Sequence, residues 1–270
     1  MAELDRLCIH TMTTRPWSLR QAVEGYAAAG VPAISVWQEH LEPVGVAEAA
    51  QMLADSGLRV TGYCRGGFFP GRTSAERTAA LDRNRVAIDQ AAGIGAPILV
   101  LVCGAVPGIP LEEARRHITE GIAAVFTHAR GAGVTLAIEP LHPMYAADRS
   151  AVNTLRQAND IIDTLGDSGA GIAVDVYHTW WDPDLEAEVV RAGSRIVSFH
   201  VCDWRTPTRD LLSDRGLMGD GCIPISTIRR WVERAGFRGP IEVEIFSQEY
   251  WKAGQAPWVE TIKERFIGHV

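Results

Sequence analysis

Short apolar runs alternate with amphipathic helical patterns along the whole chain, and that alternation limits the fold more than any other feature. The runs read as strands at 5–10, 32–37, 58–64, 97–103, 134–139, 171–175, 196–202 and 240–246. Helical patterns lie between and after them at 18–29, 45–56, 74–92, 111–131, 151–165, 184–192, 224–235 and 256–267. Strands that are apolar along most of their length, rather than at every second position, belong to parallel sheets covered on both faces. Eight such units in 270 residues predict an α/β fold, a (β/α)8 barrel with eight parallel strands. A doubly wound sheet would want a phosphate-binding glycine loop after its first strand. The segment there is HTMTTRPW, which holds neither GxGxxG nor GxxxxGKS. No linker, charge block or low-complexity tract interrupts the pattern, so residues 1–270 are expected to form a single domain.

Local chemistry supports these boundaries. Ser18 is placed to cap the first helix and Gly30 to end it. Ser74, followed by Glu76 and Arg77, opens a long helix that ends near Gly93. Pro110 precedes a helix with acidic residues in its first turn and Arg130 in its last, the polarity the helix dipole favours.

Composition narrows the function classes. The net charge of −7 argues against a nucleic-acid partner, which normally meets a basic face. No apolar run approaches the roughly 20 residues of a membrane span, so no membrane partner is expected. The N-terminus MAELDRLCIH has no basic segment followed by an apolar one, so no signal peptide is expected. Five cysteines without CxxC spacing fit reduced, mostly buried thiols in a cytoplasmic protein.

In such a barrel the active site lies at the carboxyl ends of the strands. There the runs VTLAIEP, AGIAVDV, SRIVSFHVCD and GPIEVEIF deliver Glu139, Asp175, His200 and Glu244 from four successive strands. Singly, each is a solvated rim residue, a helix cap or a core histidine. Together, three carboxylates converging on one point repel unless something positive lies between them. A divalent cation held by these four residues resolves the repulsion. The ligand set suits Mn²⁺ first, with Mg²⁺, Co²⁺ or Zn²⁺ as alternatives. Such a cation can polarise a hydroxy-ketone while a carboxylate removes and returns the α-proton. Glu242 shares pleat parity with Glu244 and is the competing ligand. Glu244 is preferred because it lies nearer the strand end. His10 and Trp37, at the ends of the first two strands, are further candidates for substrate contact.

The segments AIEPLHP, AVDVYHTWWD, SFHVCDW and the MGDG loop before EVEIF resemble the xylose-isomerase-like sugar phosphate isomerase/epimerase family. The resemblance spans nearly the whole chain. It implies one divalent metal at the four residues above, with Glu139 and Glu244 as the acid/base pair. It also implies His178 and, by a looser match, Arg205 as substrate ligands, and a small sugar or cyclitol as substrate.

One position departs from the ketose 3-epimerases of that family. Where they carry a second glutamate, six residues after the first ligand, this chain has Tyr145. His142, three residues after Glu139, is instead placed to act as an acid/base, which would suit a lyase or dehydratase. The expected activity is therefore isomerisation or epimerisation by α-proton transfer, with β-elimination as the alternative. Aromatic residues in the strand-end loops, among them Trp180, Trp181, Trp204 and Phe246, fit a sugar-stacking wall, loop packing or the interface of a homo-oligomer. Endonuclease IV shares the barrel resemblance, but its zinc cluster needs more histidines and its substrate a basic face.

Overall fold

The computed structural model describes residues 4–166 and 169–270. Seven parallel strands follow one another around a barrel: β1 (Leu7–His10), β2 (Ala33–Trp37), β3 (Arg59–Gly67), β4 (Ile98–Val102), β5 (Thr135–Glu139), β6 (Gly171–Asp175) and β7 (Ile196–Val201). A two-residue antiparallel ribbon, β8 (Asp203–Trp204) with β9 (Arg215–Gly216), rises beyond β7. β10 (Ile241–Val243) then pairs with β7 on one side and β1 on the other, which closes the barrel.

Pleat parity sorts the strand residues into two environments. Leu99, Leu101, Leu136, Ile138, Ile172 and Val174 face outward and pack in the core beneath the helices. Burying each such side chain is worth about 1.5–3 kcal/mol. Val100, Ala137 and Ala173 face inward with Cys64, Met12, Trp37 and Phe246. Small inward residues leave room at the carboxyl end of the barrel, where the polar side chains gather.

Most expected boundaries lie within a few residues of the observed ones. Ser18 accepts the Gln21 N–H and Gln21 returns the bond, while Gly30 has a φ of 69° that favours glycine. The long helix starts at Ser74, but its cap is Thr73, paired reciprocally with Glu76. The helix expected from residue 151 begins at Leu155, because Thr154 caps it by accepting the Gln157 N–H.

Two strands differ more. β3 runs on to Gly67, and its register against β4 shifts between Cys64 and Gly66, so Arg65 is a bulge residue. The last strand is regular only over Ile241–Val243, although the Glu244 N–H still bonds the Val201 carbonyl at 3.1 Å. The five cysteines are free, with Cys222 alone exposed. Among the described residues no helix is long and apolar enough to cross a membrane.

Candidate active site

Residues two apart on a strand share a face, and that rule builds the site in two layers. Cys8, Ser198 and Glu242 form a lower polar layer with Thr61. His10, His200 and Glu244 stand above them with Glu139 and Asp175. Asp175 lies beside His200 in register across β6 and β7. Glu139, Asp175, His200 and Glu244 are all buried, and each offers a ligand atom within 4.8 Å of the others.

The lower layer orients the upper one. Ser198 Oγ lies 2.6 Å from Glu242 Oε1 and 2.8 Å from His200 Nε2. The hydroxyl has one proton, which goes to the carboxylate, so it accepts from His200 Nε2–H. His200 Nδ1 then carries a lone pair. It sits 3.1 Å from Glu139 Oε1, and neither atom has a hydrogen-bond partner among the described residues. Two buried lone pairs this close repel, and a cation between them removes the conflict. A proton on Nδ1 would do the same. Burial pushes the His200 pKa down, yet Glu139, Glu242 and Glu244 together outweigh burial and raise it. The donor set therefore fits a divalent cation that competes with a proton for one position.

The other ligands are similarly prepared. Asp175 uses Oδ1 to accept the Tyr177 N–H at 2.7 Å, which caps the turn Val176–Thr179 and leaves Oδ2 toward the cluster. Burial drives its pKa up to about 7; Arg215 opposes the rise, and Glu244 and Glu139 add to it. Glu242 is held by His10 Nε2 at 3.0 Å, Thr61 Oγ1 at 3.1 Å and Ser198. Burial would raise its pKa, but the His10 bond and the neighbouring imidazoles prevail and set it to about 2.

A buried arginine, Arg215 on β9, completes the cluster. Its Nη1 lies 2.6 Å from Glu244 Oε2 and 3.2 Å from Asp175 Oδ2, and Nη2 is 3.3 Å from His178 Nε2. Tyr177 and Phe246 sandwich the guanidinium at 4.4 and 4.8 Å. Glu244 Oε1 also faces His10 Nδ1 at 3.1 Å. Burial raises the Glu244 pKa, but Arg215 and His10 overcome it and hold the carboxyl well below its usual range. His178 is driven well below its usual range by burial and by Arg215, so it is neutral. The backbone N–H of His142 donates to its Nδ1 at 3.3 Å and turns Nε2 to the cavity.

A cavity of about 300 Å³ opens above the cluster, lined by Glu139, Glu244, His178, Arg215, Trp37 and Tyr145 among others. Three sequence expectations end elsewhere. His10 is fully buried behind Glu244; burial lowers its pKa, but the two glutamates lift it to about 10. It supports the floor and does not line the cavity.

His142 also lies outside the lining. Pro143 starts a turn, Met144 N–H is captured by His142 Nδ1 at 3.2 Å, and the ring packs against Trp204 and Trp181. Arg205 pairs with Glu249 at 2.8 Å and with the Tyr250 hydroxyl on the outer rim. Arg215, ten residues later, occupies the place Arg205 was expected to fill. Of the aromatics, Trp37 and Phe246 line the cavity, joined by the unforeseen Trp251, while Trp180, Trp181 and Trp204 cluster around His142 and Tyr177. Tyr145 and Tyr177 both donate to the Leu211 carbonyl, at 2.6 and 3.2 Å, and so tie down the loop that covers one side.

A closed parallel barrel with an acidic, histidine-bearing cluster at its carboxyl end defines the class. The chain belongs to the family described as xylose isomerase-like TIM barrel, whose model matches residues 23–265. It is similar to a protein of Sinorhizobium meliloti 1021, 49% identical over 99% of both chains with a TM-score of 0.95. It is also similar to the inosose isomerase of Bacillus velezensis, 27% identical over 57% of this chain and 54% of that protein. The matched segment thus spans about half the length of that relative. The L-ribulose-5-phosphate 3-epimerase of Shigella boydii is 25% identical over 79% of this chain and 72% of its own.

Proposed function

We propose that the protein is a divalent-metal-dependent isomerase acting on a keto-sugar or keto-cyclitol by α-proton transfer. The observation that carries this reading is the facing pair His200 Nδ1 and Glu139 Oε1, buried, unpartnered and 3.1 Å apart among four convergent ligands. Glu139, Asp175, His200 and Glu244 would hold the cation, with Mn²⁺ the first expectation. When bound, it supplies Lewis-acid stabilisation of charge that develops on a substrate carbonyl oxygen.

The two glutamates are not equivalent. Glu244 has a cation beside each oxygen, Arg215 at 2.6 Å and His10 at 3.1 Å, and stays ionised. Glu139 turns Oε1 to His200, whereas among the described residues nothing bonds its second oxygen, Oε2, and the side chain lines the cavity. Glu139 is therefore the better base: it takes the α-proton and can return it to the neighbouring carbon. One base moving one proton between adjacent carbons suits isomerisation. Epimerisation would need Glu244 to deliver the proton from the opposite face. Neutral His178 binds a substrate hydroxyl, and Arg215 holds Glu244 in place and brings positive charge to the floor. Elimination is less supported, since His142, its expected acid, lies outside the cavity. The names of the inosose isomerase and ribulose-phosphate epimerase relatives fit this chemistry.

The test is exchange in D₂O. Protein stripped with a chelator and reloaded with Mn²⁺ is incubated with inosose, a panel of ketoses, ketose phosphates and keto sugar acids, and NMR follows deuterium at the α-carbon. Exchange that depends on metal and falls at least about 10²-fold in Glu139→Gln supports the reading. Absence of C–H exchange on every substrate, with metal bound, would discard it.

A further inference from the structure

We propose that the mouth of the cavity is an oxyanion site built by Arg15, Arg65 and Arg149, and that the substrate carries a phosphate or carboxylate remote from its reacting carbons. This rests on the reading of the cavity floor as the place of proton transfer. All three arginines line the same cavity as Glu139 and Glu244. The glutamates are buried, whereas Arg15 is exposed and Arg65 and Arg149 are half-buried. Apart from the half-exposed Glu39, which lines the same cavity, the cavity thus runs from an acidic floor to a basic rim in a chain of net charge −7.

The rim charge is left open. Among the described residues no carboxylate lies within 4.0 Å of the Arg15 or Arg149 guanidinium, and Arg65 has only the half-exposed Glu39, at 3.8 Å. Each guanidinium instead rests on an aromatic face: Arg15 on Trp251 at 4.9 Å, Arg65 on Phe68 at 4.9 Å and Arg149 on Tyr145 at 5.4 Å. A guanidinium backed by a ring keeps its edge N–H fork free for a bidentate partner. Arg65 owes its direction to the bulge between Cys64 and Gly66, and bulges re-aim side chains beside active sites. Three guanidiniums lining one cavity give it a positive field that favours an anion. A neutral polyol would gain nothing from the arrangement.

Chelator-treated full-length protein tests this without turnover. Tryptophan emission, to which Trp251 beneath Arg15 contributes, is followed during titration with inorganic phosphate and, separately, with tartrate. At least one anion should bind, more weakly as salt rises. Arg15→Gln, Arg65→Gln and Arg149→Gln should each raise its Kd about tenfold or more, as loss of a charge-assisted bond implies. Preference for phosphate marks a phosphorylated substrate, and preference for tartrate marks a sugar acid. Binding of neither anion, or binding unchanged in all three variants, overturns the proposal. Mn²⁺ uptake by the same proteins reports on the floor alone. Normal uptake with lost anion binding supports the rim site, whereas a wild type that takes up no metal sinks the floor reading and leaves the anion result standing.

Discussion

Ser198 holds His200 by its Nε2: the two side chains rise from one face of β7, 2.8 Å apart, while the Ser198 hydroxyl donates its own hydrogen bond to Glu242. The imidazole's free nitrogen is thereby aimed at Glu139. Removing the hydroxyl in Ser198→Ala should leave the fold intact and weaken divalent-metal affinity about 10–100-fold, the usual range for a partner behind a metal ligand. Competition with a chromogenic chelator measures this. An unchanged Kd would mean that His200 needs no such support.

Arg215 should matter most when metal is absent. It is the buried countercharge of Asp175 and Glu244. Arg215→Met leaves both carboxylates facing each other, and breaking a buried pair costs about 3–5 kcal/mol. The variant should melt well below wild type in chelator, and Mn²⁺ should raise its Tm more than it raises that of wild type. Equal melting in chelator would contradict the countercharge role.

Metal uptake should depend on pH through Asp175. Its pKa is up to about 7, so below that pH the carboxyl is protonated and must lose a proton to bind metal. Apparent affinity should fall at least about tenfold per pH unit below 7, and more steeply where His200 Nδ1 must also give up a proton. Calorimetry in buffers of different ionisation enthalpy would count the proton released, and a flat profile from pH 5 to 7 would refute it.

Glu242 predicts a stability difference of opposite sense. Its folded pKa is about 2 against an ordinary 4.5. A depressed carboxyl stabilises the folded state above the unfolded value and loses that contribution as pH falls through the folded one. The gap between wild type and Glu242→Gln, measured by urea unfolding in chelator, should therefore be full above pH 4.5. It should shrink by about 3 kcal/mol toward pH 2.

His142→Ala should be nearly silent in catalysis. The ring touches Trp181, Trp204 and its own turn, and only its backbone reaches His178. Turnover within a few-fold of wild type is expected, with a modest loss of thermal stability. A fall of about 10²-fold would return the ring to the chemistry.

The barrel was legible because each strand is a largely apolar run, and its four clustered residues because the runs of β5, β6, β7 and β10 carry a carboxylate or imidazole at or near their ends. Periodicity of two even named the competition between Glu242 and Glu244, and the structure resolves it by stacking one above the other. What stayed hidden lies in segments without periodicity. Arg205 and Arg215 share one such segment, and nothing local says which of them turns inward. The β8–β9 ribbon decides it, by pairing Trp204 with Arg215. His142 misled because spacing from Glu139 ignores the turn that Pro143 imposes.

The stacked layers inside the barrel also separate what this molecule can change from what it must keep. Each floor residue on β1, β7 and β10 stands two positions from a residue of the lower polar layer, and the layers are bonded to each other through His10 with Glu242 and His200 with Ser198, so altering one ligand is felt in the layer beneath. Arg15 and Arg149 come from connections and Arg65 from a bulge, none of which holds the sheet together. New specificities can therefore arise by editing the rim while the inherited reaction centre is passed on intact.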